Sequence, residues 1–594
     1  MEERMRFHLR NITWCLVIAL SFLFSACNGI ENEQDVNNLE ELNSALIEST
    51  GHDIEEIPNN IPLSDHMAEE VNFVSNADSE TGSGGTENAD TDDGRLYSYD
   101  DDIVIIGEDG VRLPANVFIP ADPAASHTYP AVILAHSWGS DEHQYGSQAK
   151  IFAEKGYIVL RYTSRGWGEA DGKVDVFGKN DMADLKHVID WLENHTPVDS
   201  SNIGMLGVSY GSIMSLMGLS RDNRVKTAAC LSGNTDLMES MWGGKTPHMV
   251  WASLLIASGS VKGRLDPVLV RNFADILIYN ICRINEIIEW AALRSPITYI
   301  NNINIANKPV YISSNWHDNM FQTGQHLSYF EKLTSPRKID IRNGVHGTTT
   351  NEVWDNVFRW MDYWLKGDNN GILDEERVSM TVKNTGEIVR YRDWPAAEVA
   401  RRRFYLSARK QSSTHGGLQS GEYRPLFPET NIYNSSPTVA TTGVPVLSEY
   451  LDSVDTIGVY TWLPSLSTQH GIYYQTGILA KKLKLRGGMS LKLQTASSLP
   501  CAAYFVYLYD VDSYGKARLI THGTFSTHEA VPFICRTRTI NLVPAAWDIP
   551  PGHRLAVAID TLDPLYAPPT LLPYSVQVFY SMIHHSVLTI DIQN

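Results

Sequence analysis

Along the chain, apolar residues gather first in a short block from Ile12 to Phe24 and then thin out until about Leu96. From there short apolar runs alternate with amphipathic stretches. Ile103 to Ile106 and Val111 to Ile119 are β-branched runs that predict strands, and Ala131 to His136 is the continuous apolar run of a parallel strand buried on both faces. Helical patterning near Gln148 to Lys155 leads to another buried strand, Ile158 to Tyr162. Between Asp181 and Glu193, apolar Met182, Leu185, Val188, Ile189 and Leu192 recur at helical spacing and predict one buried face. Ile203 to Val208 reads as strand and Ser212 to Leu219 as helix. Val225 to Leu231, Pro309 to Ser313 and Lys338 to Ile341 read as further strands. Repeated strand-helix alternation predicts a doubly wound α/β sheet.

Two stretches break that rhythm. Between about Asn234 and Ile305 the strand signal vanishes: Met249 to Ala257 and Val268 to Leu293 are rich in helix formers, punctuated by Pro247, Pro267 and Pro296. This predicts a helical insertion placed to roof a cleft. A helix from about Val353 to Lys366 closes the α/β unit. Beyond about Ile372 come short runs of period 2 without clear helices, among them Ser379 to Val382, Arg403 to Leu406, Met489 to Leu493, Ala502 to Tyr509, Leu519 to Gly523, Thr539 to Leu542 and Arg554 to Ile559. They predict an all-β sandwich or jelly roll. The expected organisation is therefore a leader over 1–27, a tether over 28–95, an α/β domain over 96–371 with its cap at about 234–305, and a jelly roll over 372–594.

The first block belongs to targeting, not to the fold. Arg4, Arg6 and Arg10 precede the apolar run, and Phe24-Ser25-Ala26-Cys27 follows it. This resembles the bacterial lipobox, in which the cysteine is acylated, although Phe24 stands where Leu is usual; an ordinary signal peptide is the alternative. From Asn28 to about Gly94 the chain is rich in Glu, Asp, Asn, Ser and Gly, too polar to bury a core, as a tether requires. The expected address is an exported protein of the cell envelope, lipid-anchored at Cys27 to a membrane facing the periplasm or exterior. The net charge of −21 argues against nucleic acid as partner, because phosphate binding needs clustered Lys and Arg. Cys230, Cys282, Cys501 and Cys535 are too dispersed for a zinc site or a disulfide-stapled miniature fold. Cys501 and Cys535 could pair or remain two buried thiols.

The candidate chemistry starts at Gly207-Val208-Ser209-Tyr210-Gly211. A Gly-x-Ser-x-Gly string arises by chance roughly 0.2 times in a chain this long, so its context carries the assignment. It ends an apolar strand and begins a helix rich in small residues, as a nucleophile elbow requires. A serine hydroxyl needs a base, and the base an orienting carboxylate. After the strand Pro309 to Ser313 comes Trp316-His317-Asp318; after Lys338 to Ile341 comes Gly344-Val345-His346-Gly347. Asp318 is the candidate acid and His346 the candidate base. His317 is a rival base, but adjacent residues on an extended chain point to opposite sides. An oxyanion hole needs two N–H donors. The backbone N–H of Tyr210 is one; Trp138, in the loop after the strand ending at His136, offers the other through its backbone or its indole. His136 reads as structural. Gly166-Trp167-Gly168 with Gly172, Gly244-Lys245-Thr246, and Asp510-Val511-Asp512 with Gly515 imitate dinucleotide, P-loop and calcium motifs, but each misses a required position. No metal, nucleotide or other cofactor is implied.

With these residues placed, the chain from about Leu96 onward resembles the bacterial cocaine-esterase and X-prolyl dipeptidyl-peptidase family. The resemblance rests on Tyr162-Thr163-Ser164-Arg165-Gly166-Trp167-Gly168, the Ser209 elbow, Arg294-Ser295-Pro296, Trp316-His317-Asp318 and Gly552-His553-Arg554-Leu555. It implies an α/β-hydrolase core, a helical cap and a C-terminal jelly roll, with esters or amides cleaved through a Ser-Asp-His triad. In cocaine esterase a tyrosine hydroxyl serves as oxyanion donor where this chain has Trp138, so a backbone or indole donor would replace it. Arg165 would anchor its loop. The leading expectation is an acyl esterase acting on a small ester. A dipeptidyl peptidase acting on a short peptide is the runner-up; it would need a carboxylate for the substrate's amine, for which Glu239 and Glu286 are candidates. A non-catalytic surface binding protein is the remote alternative.

Overall fold

The computed structural model describes residues 96–121, 127–454, 457–529, 531–582 and 585–593. The leader, Cys27 and the acidic tether lie outside the described residues. Ten strands form the first sheet: β1 (Tyr97–Ile106), β2 (Arg112–Pro120), β3 (Tyr129–Ala135), β4 (Ile158–Tyr162), β5 (Val198–Val208), β6 (Val225–Leu231), β7 (Val310–Asn315), β8 (Arg337–Arg342), β9 (Val378–Thr381) and β10 (Ile388–Tyr391). Their order is β1-β2-β4-β3-β5-β6-β7-β8-β9-β10. Pairing is parallel from β4 through β9 and antiparallel at both edges.

The central strands are apolar throughout because both faces are covered. Helices α1 (Gly146–Glu154), α2 (Lys179–His195) and α3 (Tyr210–Arg221) follow β3, β4 and β5. The predicted face of α2 is confirmed, with Leu185, Val188, Ile189 and Leu192 buried. They share one core with α3 and with Ile133 and Leu160 of the sheet. Phe152 of α1, Val132 and Leu134 of β3, and Val357 and Trp360 of a helix after β8 pack the opposite face. Each fully buried aliphatic or Phe side chain there contributes about 1.5–3 kcal/mol.

The insertion between β6 and β7 is helical: α4 (Leu237–Trp242), α5 (Met249–Lys262), α6 (Pro267–Leu277), α7 (Ile284–Ala292) and α8 (Ile300–Ile305). The apolar stretch from Val268 to Leu293 divides between α6 and α7. The helix stops where Tyr279 takes φ 53°, and its hydroxyl reaches the Ala567 carbonyl at 2.9 Å. Two helices flank β8, α9 (Thr323–Lys332) and α10 (Asn351–Met361), and α10 continues as a wider turn to Lys366.

One strand pairs in a way the sequence reading did not anticipate. Ser379 to Thr381, read with the C-terminal unit, lie in β9 and extend the first sheet beside β8. Period-2 patterning reports that a strand exists, not which sheet it joins.

The C-terminal unit begins with β11 (Val399–Ser407) and continues through β12 (Gly416–Gln419) and β13 (Glu429–Asn434). A helix, α11 (Leu447–Ser453), intervenes where only strands were expected. The remaining strands are β14 (Tyr460–Trp462), β15 (Ile472–Gln475), β16 (Leu483–Ser497), β17 (Cys501–Val511), β18 (Lys516–His528), β19 (Arg536–Ile549), β20 (Arg554–Asp560), β21 (Ser575–Tyr580) and β22 (Val587–Gln593). Strand β22 pairs with both β11 and β16, closing a jelly-roll-like barrel around Leu491, Tyr504, Val506 and Val557. Cys501 and Cys535 are free thiols, and Cys535 is exposed, so neither sequence alternative holds in full. Asp512 accepts from the Tyr514 and Lys516 amides at 2.8 and 3.0 Å, which makes the calcium-like string a hairpin turn.

Candidate active site

The elbow is built by contact between a strand and a helix. β5 ends at Val208 and α3 begins at Tyr210, leaving Ser209 in the turn with φ 58° and ψ −117°. Such backbone costs about 1–3 kcal/mol and persists only when its surroundings fix it. A Cβ added to Gly207 or Gly211 would overlap the Ala135 carbonyl oxygen, so β3 approaches this turn as closely as glycine permits.

The structure brings Ser209, His346 and Asp318 together from the ends of three strands. His346 Nδ1–H donates to Asp318 Oδ2 at 2.9 Å, and the Ser209 hydroxyl lies 2.8 Å from His346 Nε2. The other carboxylate oxygen of Asp318 accepts from the Met320 and Phe321 amides at 3.0 and 2.8 Å. The two loops brace each other. The His317 amide donates to the Gly344 carbonyl at 3.1 Å, and Asn315 Nδ2 donates to the Thr348 carbonyl at 2.9 Å.

The rival base is placed elsewhere. His317 is buried and its Nε2 lies 3.1 Å from Asp452 of α11, which also accepts from Arg518 at 2.9 Å. Burial holds its imidazole down at about 4. This contact makes α11 a buttress for the loop that carries Asp318. Sequence patterning missed it because a seven-residue helix gives little periodic signal.

Tyr210 and Trp138 both flank the nucleophile. The Tyr210 N–H heads α3, where no preceding turn supplies an acceptor. The indole of Trp138 is already committed, since Nε1 donates to the Leu255 carbonyl of α5 at 3.2 Å. This leaves its backbone N–H as the candidate donor. The loop is tied to the elbow by Ser137, whose hydroxyl donates to the Val208 carbonyl at 3.0 Å, and by Tyr145, whose hydroxyl accepts from the Val208 amide at 2.9 Å. No motif in the sequence announces Tyr145. His136 is structural: Nδ1–H donates to the Ser137 carbonyl at 2.8 Å and Nε2 accepts from the Ser164 amide at 3.0 Å. Arg165 grips buried Asp184 through two bonds of 2.6 and 2.7 Å, which anchors its loop.

Beside Ser209 lies a narrow cleft walled by Trp138, Phe177, Tyr210, Leu255, Phe273 and Phe321, among others. Aromatic rings make its inner wall: Trp138 packs edge-on against Trp167 and Tyr210, with centroids 4.6 and 5.7 Å apart. The cap supplies the roof, from α4, α5 and α6. Among the described residues, no carboxylate and no Lys or Arg lines this cleft. Glu239 and Glu286 both lie outside the lining, and Glu286 pairs with Arg283 at 3.1 Å. Asp181, beneath the Tyr210 hydroxyl at 3.4 Å, is pushed up by burial to about 8; it caps the Phe177 amide at 2.7 Å. Consecutive Asp141, Glu142 and His143 bring possible ligand atoms within 4.8 Å of one another. They are already engaged: His143 lies 3.4 Å from Asp141, and Glu142 contacts the Thr163 hydroxyl.

A nucleophile elbow, a Ser-His-Asp arrangement and a capped doubly wound sheet define a serine hydrolase of the α/β-hydrolase class. The comparisons narrow the class. Residues 109–348 match the family described as X-Pro dipeptidyl-peptidase (S15 family), and residues 370–584 match the X-Pro dipeptidyl-peptidase C-terminal non-catalytic domain. A putative Xaa-Pro dipeptidyl-peptidase of Bacillus cereus is 24% identical over 44% of this chain and 49% of its own length. The match thus spans about half of that relative. The cocaine esterase of a Rhodococcus species is 21% identical over 78% of this chain and 91% of its own. Among solved structures, a CocE/NonD family hydrolase from Staphylococcus aureus superposes with a TM-score of 0.67, covering 84% of this chain and 94% of that one at 15% identity. An α-amino acid ester hydrolase gives 0.63, covering 87% and 100% at 15% identity. These superpositions speak for the fold. The chain belongs to the cocaine-esterase and X-Pro dipeptidyl-peptidase family of serine hydrolases.

Proposed function

We propose that this protein hydrolyses carboxylic esters of small neutral acyl groups through an acyl-enzyme on Ser209. The observation that carries this reading is the apolar cleft, free of carboxylates, that opens on Ser209 with His346 Nε2 at 2.8 Å. In the reaction, His346 takes the Ser209 proton as Oγ attacks the ester carbonyl, and Asp318 stabilises the imidazolium in the orientation that Nδ1 already has. The backbone N–H groups of Tyr210 and Trp138 stabilise the oxyanion. His346 then protonates the leaving alkoxide, and water repeats the sequence on the acyl-enzyme.

The family names favour a second reading, cleavage of X-Pro dipeptides. That activity requires a buried counter-charge for the substrate's free amine, because an unpaired ammonium in an apolar site is strongly disfavoured. With Glu239 and Glu286 outside the cleft, the ester reading is preferred. Turnover of p-nitrophenyl butyrate and of Gly-Pro-p-nitroanilide by the same preparation tests the choice. The expected result is a far higher kcat/KM on the ester; a higher value on the anilide overturns the reading.

We also propose that the chain is exported and lipid-anchored at Cys27. The reading is supported by the basic, apolar and Ser-Ala-Cys succession at the N-terminus and the acidic stretch after it. Partitioning of the full chain into a detergent phase should be lost in Cys27→Ser; unchanged partitioning contradicts it.

A further inference from the structure

Three residues that line the mostly apolar cleft each carry a polar atom without a partner. Asn234 Oδ1, His248 Nδ1 and Trp251 Nε1 are buried polar atoms without a hydrogen bond among the described residues. All three residues line the cleft, with 1%, 4% and 6% of their surfaces exposed. A buried donor or acceptor left unpaired is costly, and beside a binding cleft a ligand can supply the missing bond.

Their placement narrows the ligand. Asn234 belongs to the floor: it follows β6, next to Gly233, whose added Cβ would lie 3.0 Å from the Ser209 carbonyl oxygen. His248, the residue before α5, and Trp251, in its first turn, belong to the roof, and both line the cleft. The roof position is fixed from the jelly roll. The Tyr566 ring packs edge-on against His248, with centroids 4.5 Å apart, and the Tyr566 hydroxyl lies 2.6 Å from His522 Nε2. Burial holds the His248 imidazole down at about 4, so the roof is uncharged at neutral pH.

We propose that Asn234, Trp251 and His248 form a subsite for a neutral secondary amide in the acyl portion of the substrate, which makes N-acylaminoacyl esters the favoured class. An indole nitrogen only donates, and the Asn234 Oδ1 only accepts. A planar trans amide points its C=O and N–H in opposite directions, which suits a donor in the roof and an acceptor in the floor. Among the described residues, no opposite charge lines the cleft to meet a free ammonium or carboxylate. The inference rests on Ser209 being the ester-cleaving nucleophile.

The test compares p-nitrophenyl N-acetylglycinate with p-nitrophenyl pentanoate, which has the same chain length but no amide. Rates are corrected for each ester's spontaneous hydrolysis. Wild type should favour the amide-bearing ester by about ten- to a hundred-fold in kcat/KM, the range expected when an analogue leaves a buried donor or acceptor unpaired. Trp251→Phe and Asn234→Leu should each lower that ratio several-fold. A wild-type ratio near one, or a ratio that both variants leave unchanged, overturns the subsite. Absence of turnover on both esters would instead overturn the nucleophile assignment beneath it, so the two failures are distinct.

Discussion

Replacing Asp318 with Asn changes one atom and should disable the site without unfolding the chain. In the native arrangement one carboxylate oxygen accepts from two backbone amides, at 3.0 and 2.8 Å, and the other accepts from His346 Nδ1 at 2.9 Å. A carboxamide has only one accepting end. If that end stays on the backbone amides, its NH2 faces Nδ1, which must then accept. The imidazole proton moves to Nε2 and faces the Ser209 hydroxyl, which loses its base. If the carboxamide flips to rescue Nδ1, two buried amides face a donor, at about 1–3 kcal/mol each. The productive tautomer therefore lies about 2–6 kcal/mol above the idle one. At about 1.36 kcal/mol per decade this removes up to about four decades of rate, comparable to the ~10⁴ loss seen for the same change in Ser-His-Asp hydrolases of other folds. Steady-state turnover of p-nitrophenyl butyrate measures the loss, and thermal unfolding checks the fold, with Tm expected within about 3 °C of wild type. A folded variant that keeps a tenth or more of the native kcat would refute the assignment of Asp318 and the orienting argument with it.

Two further outcomes follow from the geometry. Trp138→Phe loses the indole bond to Leu255 but keeps the backbone N–H, so kcat should fall by less than about ten-fold; a loss of 10²–10³, typical of a missing oxyanion donor, would show that the indole serves the reaction. Buried His248 and His522 have values held down by burial at about 4 and about 3, below the usual ~6.5 of the unfolded chain. The unfolded state therefore binds protons first, and stability present above about pH 6.5 is lost as pH falls toward 4, by up to about 2.7 kcal/mol per unit for two groups. Calorimetric Tm values from pH 7.5 to 4.5 should show this decline; a flat profile would contradict it.

The candidate triad was legible in the sequence because its signals are local and strict. Ser209 sits between a buried strand and a helix, with glycines where β3 makes close contact, and Asp318 and His346 each follow an apolar strand in the order the fold demands. What stayed hidden was set by tertiary contact. Nothing in a short stretch of polar residues shows that α11 would carry Asp452 to His317, or that Tyr145 would bond the Val208 amide. The pairing of Ser379 to Thr381 with β8 was hidden for the same reason, since alternation is blind to strand partners. The two oxyanion possibilities of Trp138 were separable only once Leu255 of the cap was in place. Nor could the sequence show that, among the described residues, Glu239 and Glu286 stay outside the cleft lining, since both lie in the segment that roofs it.

The central claim is that Ser209 is an activated nucleophile. Reaction of the intact protein with a fluorophosphonate probe, followed by peptide mapping, tests it most directly. The account predicts stoichiometric modification on Ser209 and none in Ser209→Ala; a label that maps to another residue, or persists in that variant, would contradict it.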